Sequence, residues 1–201
     1  MFAPAASRVA PGGGSFHIPV IAVSSMVMGQ QPFETVLEAH HAEIYRYLLR
    51  ATSRPSEAED LSQETFLRAY RAYRGLTADA NVRAWLFAIA TNLTRNHWRS
   101  ERRRHQAHAA FRDALPDGET AVPEDASRFN ETRARVNAVV QSLPLKQRLA
   151  FILRKVHDFD YDVIGGNLQC SAESARAHVF QALKKVRRGL RDHDLVTERE
   201  R

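Results

Sequence analysis

Two helices joined by a tight turn are predicted by residues 160–191, which read DYDVIGGNLQCSAESARAHVFQALKKVRRGLR. Asp160 and Ser171 stand where the two helices would begin, because either side chain can accept a hydrogen bond from a free backbone N–H of the first turn. Two glycines, at 165 and 166, lower the helical propensity of the first segment. Apolar residues at helical spacing give the second helix a buried side, formed by Ala175, Val179, Ala182, Val186 and Leu190.

A basic face lies opposite that buried side. No acidic residue occurs from Arg176 to Arg191. The pattern fits a helix-turn-helix, in which the start of the second helix reaches base edges in the major groove and later basic residues hold phosphates. An amphipathic helix with a solvated basic face is the alternative. The predicted DNA-facing residues are Ser171, Glu173, Ser174, Arg176, His178, Gln181, Lys184 and Lys185.

The composition limits the kinds of partner and site that the chain can have. The 201-residue chain has a formal net charge of +6 and one cysteine, Cys170. Such a charge favours a polyanionic partner. A single thiol forms no internal disulfide, and no Cys or His group has the spacing of a zinc site, so we predict neither metal nor cofactor. No apolar run approaches the roughly 20 residues of a membrane helix, and we expect a cytoplasmic protein.

The amino-terminal half is predicted to contain three helices. Apolar spacing indicates a helix over 33–52. Ser56 with Glu59 forms a capping-box pattern for a second helix, and Asn81 can cap a third. No segment has the alternation of a strand, so the fold class is all-α.

An acidic face distinguishes the second of these helices. Glu57, Asp60 and Glu64 fall at positions i, i+3 and i+7 and project together. In a basic chain, this face suggests a basic protein partner. A solvated face with local ion pairs is the alternative. Paired catalytic carboxylates are a weaker one, since no nucleophile or metal set accompanies them.

The third helix combines aromatic, amide and guanidinium groups. Trp85, Asn92 and Arg99 share one side at heptad spacing, and Arg95 adds charge. Such groups suit unstacked bases and a single-strand backbone. Core packing of Trp85 and a helix-dipole role for the arginines are the alternatives.

Composition also suggests the domain boundaries. Residues 1–31 are expected to be a disordered tail or a mis-assigned start, and residues 32–104 a helical domain. Residues 105–131 are expected to form a flexible linker that includes a short helix at 109–114. The second domain spans 132–195 and leaves a tail at 196–201. In the second domain, Pro144 suits the first turn of a helix. This helix is predicted to bury Leu149, Ile152, Leu153 and Val156.

Taken together, these segments resemble the extracytoplasmic-function (ECF) group of the sigma-70 family of bacterial RNA polymerase sigma factors. The resemblance covers about residues 33–193 and is carried by two motifs in order. The amino-terminal motif is Ala58–Tyr70 followed by Arg83–Asn92. The carboxy-terminal motif is Leu143-Pro144 with Arg148, then the helix-turn-helix over Tyr161–Ala182.

The resemblance implies a transcription initiation factor and not an enzyme. The helix around Asp60, Gln63 and Glu64 is expected to dock on the coiled-coil clamp helices of the polymerase's largest subunit. The helix-turn-helix domain, with Arg148, is expected to read the −35 element, and the linker to thread toward the RNA exit path. An anti-sigma factor is a possible further partner. Residues expected to read the melted −10 element are Arg74, Asn81, Trp85, Asn92, Arg95 and Arg99.

The chain departs from the family pattern at several positions, and three other functions stay open. These departures leave open which promoter sequence the chain recognises and how strongly it contacts the −35 element. The rival functions are an autonomous helix-turn-helix regulator, a nucleic-acid-processing enzyme and a pure protein-interaction module. The departures are Thr91 for arginine, Asn96 for aspartate, Gly165 for alanine, Gln169 for glycine, and His178 and Gln181 for basic residues.

Overall fold

The structure, a computed structural model, describes the backbone of residues 31–77, 79–109 and 128–199 and the side chains of 31–77, 79–106 and 134–191. Within these ranges the chain is all-helical, as predicted. Most of the predicted tail and linker, including the short helix beyond Ala109, lies outside them. The helices are α1 Phe33–Thr52, α2 Pro55–Tyr73, α3 Val82–Ala109, α4 Arg128–Gln141, α5 Leu145–Lys155, α6 Tyr161–Leu168 and α7 Ala172–Arg199.

Helices α1–α3 pack together as an amino-terminal unit. Ile44 and Leu48 of α1 and Leu86 and Phe87 of α3 have no exposed surface. The hydroxyl of Tyr47 pairs with that of Thr91 at 2.8 Å, so two buried polar groups satisfy each other. The predicted buried side of α2 is confirmed at Ala58, Leu61, Phe66, Ala69 and Tyr73.

Two predicted helix starts were wrong, by two residues at α2 and by one residue at α5. Helix α2 begins at Pro55, and its N-cap Arg54 makes no side-chain capping bond, so the capping box of Ser56 and Glu59 does not form. Proline is favoured in the first turn because the N–H that it lacks has no partner there. Pro144 is the N-cap of α5 and does not lie within its first turn.

Helices α4–α7 form a carboxy-terminal unit around Leu149, Ile152 and Leu153, as predicted. Val156 was wrongly expected in this core. It follows the last residue of α5 and is 41% exposed. In the loop that follows, between α5 and α6, His157 and Phe159 are buried instead of Val156.

The two units lie against each other. Their buried side chains belong to one hydrophobic cluster, with α1 against α5 and α3 against α6. No helix in the described part of the chain is long and apolar enough to cross a membrane. The sequence predicted two domains and a linker, and the packing of one domain on the other is a finding of the structure.

Candidate nucleic-acid interfaces

Local hydrogen bonds fix the turn between α6 and α7. Gln169 ends α6 in the left-handed conformation with a φ of 54°. The amide of Cys170 donates to the Gly165 carbonyl at 2.9 Å. Ser171 Oγ accepts from the amide of Ser174 at 3.1 Å, which confirms the predicted cap of α7. Asp160 is the N-cap of α6, as expected, but its side chain makes no capping bond.

Glycine is required at one of the two adjacent positions in α6. A Cβ at Gly165 would lie 2.7 Å from the Cys170 carbonyl oxygen, closer than such atoms approach in folded proteins. A Cβ at Gly166 would meet no atom within 4 Å. Gly165 therefore allows the turn to pack directly on α6, and this contact sets the direction in which α7 leaves the turn.

The outer face of α7 presents most of the predicted DNA-contacting side chains. Arg176, Lys184 and Lys185 are exposed, and so is Glu173 near the helix start. The Arg176 guanidinium lies 5.0 Å from the centroid of the Tyr161 ring of α6. This cation–π contact holds the charged group beside the first turns of α7, where a recognition helix reaches base edges.

Two predicted contacts on α7 are turned partly toward α5. Gln147 Nε2 of α5 donates to Gln181 Oε1 at 2.6 Å. His178 is half-buried, and its Nδ1 is buried without a hydrogen-bond partner among the described residues. Burial, reinforced by Lys146, lowers the pKa of His178, which favours the neutral ring. The exposed cations of this face are therefore better placed than His178 and Gln181 to meet phosphates.

Phe180 is the residue of α7 that the sequence reasoning missed. Its side chain is 67% exposed in the middle of the outer face. A phenyl ring can contact the C5-methyl group of thymine in a major groove. The signal in the sequence was an aromatic residue one position beyond the buried Val179, off the apolar stripe.

The outer face of α2 is more than an acidic patch. Asp60 and Gln63 are exposed, and Leu67 and Tyr70 are 44% and 58% exposed. These four residues are separated by three, four and three positions, which is the spacing that a helix offers to another helix in a coiled coil. We call them the α2 seam. Glu64, beside the seam, pairs with Arg68 at 2.6 Å.

Glu57 is not part of the outward-facing surface that Asp60 and Gln63 form. Its carboxylate pairs with Arg54 at 2.6 Å and with His97 of α3 at 3.0 Å. It therefore ties the start of α2 to α3, whereas Asp60 faces outward.

The start of α3 confirms one predicted role and qualifies another. Asn81 Oδ1 accepts from the amide of Ala84 at 2.9 Å, so Asn81 caps α3 as predicted. Trp85 is half-buried, with its ring 6.4 Å from that of Tyr73. Arg74 is exposed at the end of α2, beside the loop that leads to Asn81. The loop therefore carries a cation at one end and an aromatic ring at the other.

Farther along α3, exposure is uneven. Arg99 is exposed, whereas Asn92 and Arg95 are half-buried. Burial, followed by repulsion from Arg99, lowers the pKa of Arg95. Arg95 also lies near enough to Cys170 for the two groups to interact. The carboxy-terminal unit thus partly covers this face of α3.

Arg148 is buried, unlike the exposed cations on the outer face of α7. It is 7% exposed and sits between the two units. Its guanidinium donates to the carbonyl of Ala51 at 2.9 Å and lies 5.3 Å from the Trp98 ring centroid. In this arrangement Arg148 is not accessible to DNA.

Two family models match the chain. Sigma-70 region 2 matches residues 36–104, and Sigma-70 region 4 matches residues 133–186. Together they cover more than half of the chain and coincide with its two units. The chain belongs to the sigma-70 family. The α2 seam and the residues from Arg74 to Arg99 lie within region 2, and the outer face of α7 begins and largely lies within region 4.

Curated relatives of this sigma-70 protein are named as RNA polymerase sigma factors. It is 29% identical over 168 residues to the RNA polymerase sigma-H factor of Pseudomonas aeruginosa, covering 80% of this chain and 87% of the relative. It is 26% identical over 172 residues to the ECF RNA polymerase sigma factor SigW of Bacillus subtilis, covering 81% and 91%.

Two solved structures share the fold. The sigma factor RpoE of Bartonella quintana, in complex with the anti-sigma factor NepR, superposes with a TM-score of 0.64 and 21% identity, covering 79% of this chain and 96% of that one. CnrH, in complex with the cytosolic domain of CnrY, gives a TM-score of 0.58 and 20% identity, covering 81% and 88%.

Proposed function

We propose that this chain is an ECF-type sigma factor that directs RNA polymerase to promoters, opens the DNA and supports transcription initiation. The observation that carries the proposal is the combination, in one chain, of region 2 with an exposed helical seam and region 4 with an exposed basic recognition helix. The chain contributes recognition and strand capture, while the polymerase supplies the chemistry. Its place of action is the cytoplasm, where the polymerase works.

The α2 seam is the proposed docking surface for core polymerase. Asp60 and Gln63 supply charge and hydrogen bonding, and Leu67 and Tyr70 supply apolar area at coiled-coil spacing. A helical partner with basic residues complements this mixture, because charge fixes the register while apolar contacts add affinity. The clamp helices of the largest polymerase subunit are such a partner. Glu64 contributes negative potential, although its carboxylate forms an ion pair with Arg68.

The −10 element is the proposed ligand of the α2–α3 loop and the adjoining face of α3. Arg74 and Arg99 are exposed to hold phosphates, and Trp85 offers part of an aromatic face for an unstacked base. Asn81 acts by holding the loop through its cap on α3. Asn92 and Arg95 become more accessible if the carboxy-terminal unit moves away from α3.

The −35 element is the proposed ligand of α7. Arg176 lies where a recognition helix reads bases, with Glu173, Ser174 and Phe180 around it. Lys184 and Lys185 lie two to three turns farther along and hold phosphates, which adds affinity without sequence information. Gln181 is exposed but hydrogen-bonded to Gln147 of α5, and His178 is half-buried, so both contribute less direct contact. An anti-sigma factor is a further proposed partner, because the solved sigma factor RpoE of Bartonella quintana, which shares the fold, is bound to the anti-sigma factor NepR.

Co-elution of the purified chain with bacterial core RNA polymerase, followed by transcription from a genomic fragment library, tests this proposal. We expect a one-to-one complex and transcripts that start downstream of a shared motif. Core polymerase without the chain is the control. Absence of a complex, together with tight sequence-specific binding of the free chain to duplex DNA, would instead identify an autonomous regulator.

A further inference from the structure

Other helices hold two polar side chains at the edges of the outer face of α7. At one edge, the Arg176 guanidinium lies 5.0 Å from the ring centroid of Tyr161 in α6. At the other edge, Gln147 Nε2 of α5 donates to Gln181 Oε1 at 2.6 Å. Five residues of an α-helix turn through about 500°, so Arg176 and Gln181 point about 140° apart, with the exposed Phe180 between them. Both edges of the face are therefore held in place by the fold itself.

The surroundings of Gln147 decide which amide of this pair is the donor. Gln147 is half-buried, and its Oε1 is buried without a hydrogen-bond partner among the described residues. Turning both amides over would let Gln181 donate to Gln147. It would also bury the NH2 group of Gln147, with two hydrogens to satisfy, where the oxygen now lies. Since an unpaired buried carbonyl is better tolerated than an unpaired buried N–H, Gln147 is the donor.

This hydrogen bond determines which half of the Gln181 amide can meet DNA. The side chain is exposed, its Oε1 is turned toward α5, and its Nε2 makes no hydrogen bond within the described part of the chain. A free glutamine reads adenine by donating to N7 and accepting from the N6 amino group. An amide whose oxygen faces another helix offers a base only its two N–H donors. Guanine suits such a group, because its N7 and O6 both accept in the major groove.

We propose that Gln147 is a positioning residue that makes Gln181 a donor-only reader, and that the pair favours guanine over adenine at one base of the −35 element. Gln181 touches the base, whereas Gln147 acts only through Gln181. Gln181 thereby offers fewer contacts than a free glutamine, and those that remain select for acceptors. The base preference rests on the proposed function of α7, whereas the orientation of the pair does not.

A promoter library with all four bases at each position of the −35 element measures the preference. The chain and core polymerase transcribe the library, and the transcripts are counted for each base. We expect one position at which guanine exceeds adenine by about fivefold or more. Gln181→Ala should remove the preference at that position, and Arg176→Ala should change a different one.

Gln147→Met tests the positioning role, because it releases Gln181 Oε1 while keeping an unbranched side chain of similar length. Gln181 can then pair with adenine through both amide atoms. The preference at the same position should shift from guanine toward adenine by about tenfold, although the substituted residue touches no base. An unchanged preference would overturn the positioning role of Gln147.

Gln147→Glu should reverse the pair. A carboxylate only accepts, so Gln181 donates to it through Nε2 and turns Oε1 outward. The preference should then move to adenine or cytosine, whose amino groups donate in the major groove. Lys146→Gln, at the exposed neighbouring position of α5, makes the same change in formal charge. It should weaken transcription on all bases alike, because charge acts through phosphates. A guanine preference retained in Gln147→Glu would contradict the proposal.

Nuclear magnetic resonance of the free chain tests the pair without polymerase or DNA. The side-chain amide signal of Gln181 is assigned by its loss in Gln181→Ala. Nitrogen-15 relaxation should show this amide ordered on the picosecond-to-nanosecond timescale in the wild-type chain and mobile in Gln147→Met. Lys146→Gln should leave it ordered. Equal mobility in the wild-type chain and in Gln147→Met would overturn the pair.

The two kinds of measurement separate the amide pair from the proposed function. Absence of polymerase-dependent transcription by the wild-type chain would overturn the proposed function and the base preference with it, while relaxation would still decide the orientation of the pair. An ordered pair, with a −35 preference that no substitution of Gln147 or Gln181 changes, would leave the proposed function standing and overturn the reading role.

Discussion

The outer face of α7 and the surface around the α5–α6 loop place similar side chains in opposite settings. Arg176 stands exposed beside Tyr161, whereas Arg148, in the same unit, is 7% exposed and hydrogen-bonded to another helix. The α2 seam extends the contrast, since Asp60 faces outward while Glu43 is occupied by Arg83 and His157. Charge alone does not identify a binding surface, because a charged group that already has internal partners stabilises the arrangement of the chain. Substitutions on outer faces should change binding, and substitutions at inner contacts should change stability.

The largest expected effect is at the α2 seam. Asp60→Lys should weaken binding to core polymerase by about 100-fold or more, because it reverses charge at a complementary contact. Thermal unfolding should stay unchanged, since Asp60 is exposed. Glu59→Lys, an exposed neighbour off the seam, is the matched control for charge. Equal losses in the two variants would show that total charge matters and the seam does not.

The next effect concerns α7. Arg176→Ala should reduce promoter-directed transcription about tenfold or more, because a side chain at a base edge contributes about 1–3 kcal/mol of discrimination. Core binding should not change. Arg191→Ala removes the same charge from an exposed position farther along α7 and should cost less. Equal losses of promoter-directed transcription in Arg176→Ala and Arg191→Ala would argue against a base-reading role for Arg176.

A smaller effect is expected inside the turn between α6 and α7. Gly165→Ala should lower the free energy of unfolding by about 1–3 kcal/mol in urea titrations, because the added methyl group meets backbone atoms that cannot move aside. Gly166→Ala should instead raise it by about 1 kcal/mol, since open space surrounds that position and alanine favours a helix. If both variants are stabilised, the turn does not pack on α6 as the structure shows.

The smallest expected effect is a response of stability to pH. Burial lowers the pKa of His157, and the neighbouring Glu43 only partly opposes this, while Arg83 and Arg50 add to the lowering. Protonation would also place a proton on Nε2, which is buried without a partner among the described residues. The contribution of His157 to the stability of the folded chain is therefore complete above a pH of about 6.5 and is lost as the pH falls below it.

The midpoint of thermal unfolding, recorded between pH 8 and pH 5, should fall at the acidic end. Hydrogen bonds from Arg83 hold the pKa of Glu43 at about 2, so that carboxylate stays ionised throughout this range. His157→Asn keeps a donor for Glu43 and should weaken the response. A response of unchanged size in this variant would point to His40, whose pKa burial also lowers.

Much of the fold was predictable because local signals carry it. The cap at Ser171, the cap at Asn81 and the apolar stripes of α2 and α7 follow from hydrogen-bonding groups and helical spacing within each segment. Leu67 was missed because a single exposed apolar residue is common, and its meaning depends on Asp60, Gln63 and Tyr70 sharing its face.

The contact between the units could not be read from local patterns. Arg148 was predicted to meet DNA, yet it lies four residues before the buried Ile152 on the same stripe of α5. That spacing was the available signal of burial. Its partner, a carbonyl at the end of α1, has no side-chain signature, so the sequence cannot reveal it. Contact between Arg148 and the −35 element stays a prediction.

The hydrogen bond from Arg148 to the end of α1 has a consequence for amide hydrogen exchange. Helix ends fray, and the rate of fraying depends on how firmly the terminal carbonyls are held. With Arg50 and Ala51 bonded from outside the helix, the last turn of α1 should exchange as slowly as an internal turn. Exchange of those few backbone amides would therefore measure, without any substitution, how firmly the end of α1 is held.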